Sequence, residues 1–198
     1  MRRFALATLA LAACTSSEPT GPVDANVGCP GAAYPSWATS PYVLPYPVDA
    51  SYQVDLSNCS GSFHGVGKPD EFAIDFAMTI GTGITASRAG IVVSVEESGV
   101  DGGFPNNLVI VDHGDGTFAQ YMHLTENGAW VSVGDAVARG DTVGLSGATG
   151  LAGYPHLHFV VSGSDWEWPY VSVPVTFSNT AANPRSLQSG LIYTALPY

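Results

Sequence analysis

Phe72-Ala73-Ile74-Asp75-Phe76-Ala77-Met78 sets bulky apolar side chains against small or acidic ones at a period of two, which is the spacing of an extended strand with one face buried. Phe72, Ile74, Phe76 and Met78 form the core face. Glu71, Ala73, Asp75 and Ala77 take the other face, where a carboxylate on a floor of small residues suits a groove better than a packed interior. Comparable runs flank this one, with turn residues between them: Tyr52 to Leu56, Gly90 to Val95, Leu108 to Asp112, Thr117 to Leu124, Thr142 to Ser146, His156 to Val161 and Val171 to Phe177. This rhythm predicts an all-β fold, an antiparallel sandwich or barrel. The 23 glycines, 14 prolines and 11% aromatic residues agree with short strands and tight turns, and no stretch reads as an amphipathic helix. At 198 residues and 45% hydrophobic content, one compact domain with extensions is expected.

The N-terminus reads differently. Met1-Arg2-Arg3 precedes the apolar run Phe4 to Ala13, a pattern of export that is too short to span a bilayer. Leu11-Ala12-Ala13-Cys14 resembles a bacterial lipobox. Residues 1–13 are thus expected to be a lipoprotein signal peptide, and Cys14 the lipidated first residue of a chain anchored in the membrane at the cell envelope. Residues 14–48, rich in Ser, Thr, Pro, Gly and Ala, read as a tether and an irregular arm. In an oxidising compartment the remaining cysteines, Cys29 and Cys59, are expected to pair. The net charge of −11 makes nucleic acid a poor partner, and a monomer is expected.

The chain has 5 histidines, at 64, 113, 123, 156 and 158. Imidazole nitrogens and carboxylate oxygens are favoured zinc ligands, and a catalytic zinc takes three of them while keeping a position for water. His156 and His158 are two apart and share one strand face; by the same alternation His123 shares a face with Tyr121. His113 reads as a structural histidine, and Tyr121 and Asn107 as packing residues near the cleft. The aromatic group Trp166, Trp168 and Tyr170 could hold a glycan or peptide, but is expected to pack the C-terminal extension onto the barrel.

Ordered motifs extend the pattern. Ala73-Ile74-Asp75-Phe76 is followed by Gly81, Ala86, Gly90 and Val92. Then come Asn107, Val109 and His113, Tyr121-Met122-His123-Leu124, Val133-Gly134-Asp135, Gly140-Asp141, Thr149-Gly150 and Pro155-His156-Leu157-His158-Phe159. Residues 62 to 163 therefore resemble the lysostaphin and LytM-type (β-lytic) zinc metallopeptidases. The resemblance implies the barrel-sandwich of that family, the duplicated hybrid motif, over residues 49–163, with a β-rich C-terminal extension at 164–198 packed against it. It also implies a zinc endopeptidase that hydrolyses peptidoglycan cross-links or glycine-rich peptides. Asp75 and His158 would be zinc ligands. His123 and His156 would line the site without ligating, orienting the attacking water and stabilising the tetrahedral oxyanion.

The third ligand departs from the family's usual pattern, because Glu71 stands where most members have a histidine. His64, reaching over the loop of Gly67, Pro69 and Asp70, is the preferred ligand; Glu71 itself is the alternative. Two other functions share parts of this pattern. Some relatives have lost ligands and bind cell wall or regulate wall amidases, but here His64, His123, His156 and His158 are all present. A lipoyl or biotinyl carrier would need a lysine at a hairpin tip, and the one lysine, Lys68, is not on one.

Overall fold

The computed structural model of the protein describes residues 28–198; the expected signal segment 1–13, Cys14 and the first part of the expected tether lie outside the described residues. The strands are β1 (Ser51–Leu56), β2 (Ile74–Ala77), β3 (Gly83–Thr85), β4 (Gly90–Glu96), β5 (Leu108–Asp112) and β6 (Thr117–Met122). They continue with β7 (Leu124–Ala129), β8 (Ala136–Val137), β9 (Thr142–Ser146), β10 (His156–Gly163), β11 (Val171–Ser172) and β12 (Ile192–Thr194). Among the described residues there is no α-helix, only two 3-10 turns at Trp37–Thr39 and Ser62–His64. The larger sheet runs β12-β1-β2-β10-β6-β5-β4-β8, with β11 beside β10, and the smaller runs β3-β9-β7. All the named strand pairs are antiparallel, so the all-β expectation holds.

Alternation decides which side chains meet. Ile74, Phe76 and Met78 join Val109, Val111, Tyr121, Leu157, Phe159 and Val161 in one core, which Ile84, Leu124 and Val143 of the smaller sheet complete. Burying each large apolar side chain of this kind contributes roughly 1.5–3 kcal/mol. The opposite face of β2, β10 and β6 is left to carry Asp75, His156, His158, Gln120 and Met122 around a cleft.

Three expected strands are cut short for identifiable reasons. The run Phe72 to Met78 is a strand only at Ile74–Ala77, because consecutive turns occupy the residues before it. The run Val171 to Phe177 is a strand only at Val171–Ser172, since Pro174 has no N–H to donate to a ladder. The run Thr117 to Leu124 breaks at His123, whose φ of 65° reverses the chain between β6 and β7.

The flanking segments are built into the same core. Tyr42, Leu44 and Tyr46 of the arm, and Val175, Phe177, Leu187 and Tyr193 of the extension, pack with the sheet residues. Backbone and side-chain bonds lock them. Val43 N–H donates to the Ser87 carbonyl at 2.8 Å, Leu44 N–H donates to Asn179 Oδ1 at 2.8 Å, and Tyr46 donates its hydroxyl to the Tyr193 carbonyl at 2.8 Å. Cys29 and Cys59 meet sulfur to sulfur with Cα atoms 5.1 Å apart, tying the start of the arm to the loop before His64.

Tyr121 lies wholly in the core, and its hydroxyl accepts the buried Ser87 N–H at 2.7 Å. Tyr121→Phe strands that donor away from water, so it should lower stability by about 1–3 kcal/mol in urea unfolding. A substitution without cost would show that Ser87 finds another partner.

Candidate active site

Strand register brings the first two groups together. His158 of β10 stands opposite Asp75 of β2 on one side and Met122 of β6 on the other, and His156 stands opposite Ala77. Across that pairing His158 Nδ1 lies 2.9 Å from Asp75 Oδ1. A third group comes from the 3-10 turn. Gly61 and Ser62, with φ of 91° and 54°, fold the chain back so that His64 is buried with Nε2 3.4 Å from the same Asp75 oxygen. One donor atom from each of His64, Asp75 and His158 lies within 4.8 Å of the others, and all three residues are buried.

Glu71 is not among them. The period-two reading placed it on the Asp75 face, but β2 begins only at Ile74 and the residues before it are a chain of turns, with Glu71 N–H bonded to the Lys68 carbonyl and Ala73 N–H to the Asp70 carbonyl. Glu71 Oε2 accepts Gly67 N–H at 2.9 Å, and Oε1 lies 3.4 Å from Cys59 Sγ. The same turns deliver Asp70 into the cleft. Its Oδ1 lies 3.3 Å from His158 Nε2 and accepts the Tyr170 hydroxyl. Sequence reasoning missed Asp70 in any role beyond loop filler, because no strand periodicity reaches it.

His123 and His156 close the other wall, their ring centroids 4.7 Å apart. His123 does not share a face with Tyr121, as simple alternation implied. Its left-handed backbone swings it to the cleft side while Tyr121 stays in the core. The Thr149-Gly150 motif explains how it is held: the Thr149 carbonyl stands 2.7 Å from His123 Nδ1, and the Thr149 hydroxyl donates to the Leu124 carbonyl at 2.7 Å. Gly150, at φ of 70°, admits Asn106, whose Cβ would sit 2.6 Å from any added Cβ; Asn106 Oδ1 accepts His123 N–H at 3.0 Å. Asn107 is wholly buried behind it, its side chain bonded to Gly99 and Thr125. His156 Nδ1 in turn lies 2.8 Å from the Tyr154 carbonyl. A carbonyl only accepts, so both rings carry their proton on Nδ1 and leave Nε2 as an acceptor; His156 Nε2 lies 3.7 Å from Asp75 Oδ1.

These surroundings set the charges. Burial alone would raise Asp75, but hydrogen bonds from His158 and His64 outweigh it and hold the carboxyl well below the usual range. Asp70 shifts the same way, burial being overcome by His158 and Tyr170. Burial also opposes a charge on His158, yet Asp70 and Asp75 push it up to about 10. His123, buried and next to His158 and His156, is driven down to about 3, and burial lowers His156. His113, by contrast, sits away from the site with Nδ1 2.9 Å from the Ala89 carbonyl.

The cleft encloses about 650 Å³ and is walled by Phe63, Phe104, Leu151, Tyr154, Trp166, Trp168 and Tyr170 in addition to the polar group. Trp166, Trp168 and Tyr170 therefore do more than pack an extension onto the barrel. Trp166 rests on Phe118 at 4.9 Å between centroids, while Trp168 stays 65% exposed at the rim.

A His-Asp-His donor set, buried and convergent at the floor of a cleft, could hold a metal ion with the donor types that zinc favours. Comparison with known proteins agrees. The sequence pattern of peptidase family M23 matches residues 70–168, half of the chain, and the chain belongs to that family. His64 precedes the matched segment. The peptidoglycan DD-endopeptidase ShyA of Vibrio cholerae is 35% identical over 116 residues, 58% of this chain and 26% of its own length. The glycyl-glycine endopeptidase ALE-1 of Staphylococcus capitis is 38% identical over 48% of this chain and 25% of its own length. The chain thus spans about a quarter of these curated relatives. Among solved structures, a zinc-containing peptidase from Vibrio cholerae superposes with a TM-score of 0.50 at 25% identity, over 76% of this chain and 41% of that one.

Because folded His123 holds its proton less tightly than an unfolded imidazole at 6.5, the unfolded chain binds more protons between about pH 3 and 6.5, and this group's contribution to stability rises with pH in that window. NMR of the metal-free protein should show a neutral His123 with no titration between pH 5 and 8. A midpoint near 6.5 would contradict the burial described.

Proposed function

We propose that the protein is a zinc-dependent endopeptidase that hydrolyses peptidoglycan peptide cross-links or glycine-rich peptides at the cell envelope. In this reading residues 1–13 direct export, lipid on Cys14 holds the chain to the membrane, the Cys29–Cys59 pair is oxidised, and residues 49–163 carry the peptidase activity. The observation that carries the reading is the convergence of His64, Asp75 and His158 at the floor of a cleft onto which His123 and His156 open. Membership of family M23 and the endopeptidase names of ShyA and ALE-1 support it.

The donors fit zinc: two imidazole nitrogens and one carboxylate, all buried, the anion offsetting part of the metal's charge. Zinc held there would act as a Lewis acid on the scissile carbonyl and lower the pKa of water. The remaining chemistry belongs to the chain. His123 and His156 are neutral at pH 7, and each has Nδ1 anchored on a carbonyl. Their free Nε2 atoms can take a proton from the attacking water, stabilise the oxyanion once protonated, and return the proton to the leaving amine. Exposed Trp168, Phe104 and Phe63 at the rim supply apolar surface against which an extended peptide can lie, excluding water from the floor. With the full histidine set in place, the catalytically silent reading has no observation in its favour.

The test is zinc quantification and digestion of purified peptidoglycan and of oligoglycine peptides. Wild type should bind one zinc and cleave one of these substrates. His64→Ala should lose zinc and Glu71→Ala retain it. His123→Ala and His156→Ala should retain zinc while kcat falls by about 10²–10⁴-fold, the usual worth of general acid–base help. Wild type with neither zinc nor cleavage would sink the proposal, and zinc lost in Glu71→Ala but kept in His64→Ala would reverse the ligand assignment.

A further inference from the structure

His158 is the one imidazole in the cleft with a carboxylate at each nitrogen. Nδ1 lies 2.9 Å from Asp75 Oδ1, and Nε2 lies 3.3 Å from Asp70 Oδ1. The two nitrogens point in different directions, so only one of them can face the position shared with His64. That one is Nδ1, because its partner Asp75 Oδ1 is also the oxygen 3.4 Å from His64 Nε2. If Nδ1 gives its lone pair to a metal, the ring proton must reside on Nε2. Asp70 is the acceptor placed to receive it.

Asp70 is itself held. It is a buried acid at the end of a turn, and its Oδ1 accepts the hydroxyl of Tyr170, whose ring packs with Ala73, Met122 and Val160 beneath the cleft wall. Tyr170 immediately precedes β11, which pairs with β10, so the strand that carries His158 also fixes the distance to its clamp. A buried aspartate used only to close a loop would face backbone N–H groups. Asp70 instead directs the same oxygen at an imidazole and a phenol.

We propose that Asp70, clamped by Tyr170, is a positioning residue: it accepts a hydrogen bond from the Nε2–H of His158, fixing the ring's orientation and tautomer so that Nδ1 is offered to the metal. The proposal rests on the zinc-site reading above. It also gives residues 164–198 a role in metal binding, through one hydroxyl.

The experiment is zinc affinity by chelator competition on the folded protein, with circular dichroism as the fold control and long-range proton–nitrogen NMR of the zinc-loaded histidines. Asp70→Ala should keep one zinc per chain but weaken affinity by about 10- to 100-fold, the usual consequence of losing a carboxylate behind a ligating histidine. Asp70→Asn keeps an acceptor and should recover part of the loss, and Tyr170→Phe should lose less than Asp70→Ala. In wild type the Nε2 proton of His158 should be present and strongly deshielded, and it should move upfield in each variant. If Asp70→Ala does not fold, Asp70→Asn and Tyr170→Phe carry the same two measurements. Wild-type zinc affinity and an unmoved Nε2 proton in the folded variants would overturn the proposal alone. A wild type that binds no zinc would overturn the zinc-site reading as well.

Discussion

The carboxylate of Asp75 is buried at the floor of the cleft among three imidazoles, with His158, His64 and His156 nitrogens at 2.9, 3.4 and 3.7 Å from one of its oxygens. Removing an ionised carboxylate from water costs several kcal/mol unless well-placed partners repay it. Here the partners come from two separate pieces of chain, β10 and the 3-10 turn, and neither is adjacent in sequence to Asp75, so the fold around the cleft has to be assembled before that charge is tolerated. Register between β2 and β10 delivers His158 opposite Asp75 and His156 opposite Ala77, and a left-handed pair at Gly61 and Ser62 delivers His64. The site and the fold depend on the same alignments.

The cleft is more than a property of the sheets. The arm contributes Tyr42, Leu44 and Tyr46 to the core, and the extension contributes both core residues and the wall of Trp166, Trp168 and Tyr170. Matching of the family pattern ends at residue 168, yet Tyr170 reaches back to Asp70. The extension, which looks like an appendage in a linear comparison, is thus a structural part of the site, and the arm is part of the core beneath it.

Much of this was legible in the sequence where side-chain periodicity and chain direction coincide. The core positions Ile74, Phe76 and Met78 and the pair His156 and His158 were readable because alternation within a regular strand fixes the face of each residue, whereas Phe72, two residues before β2 begins, stays outside the core. Family resemblance, rather than spacing, pointed to His64. Legibility failed at points where the backbone leaves the strand. His123 sits at φ of 65°, which period-two counting cannot anticipate; Glu71 and Asp70 sit in consecutive turns, where neighbouring acids point opposite ways. Pro174 did signal the early end of a strand, and its missing N–H was the cue to use.

On the proposed reading a metal is held by His64, Asp75 and His158, and His123 and His156 are left free to move protons. Crystallography of the zinc-loaded protein with anomalous scattering at the zinc edge tests it most directly. One anomalous peak is expected, ligated by His64 Nε2, an Asp75 oxygen and His158 Nδ1, with no protein ligand from Glu71, His123 or His156. A peak ligated by Glu71 or by the His123 and His156 rings, or no peak at all, would contradict it.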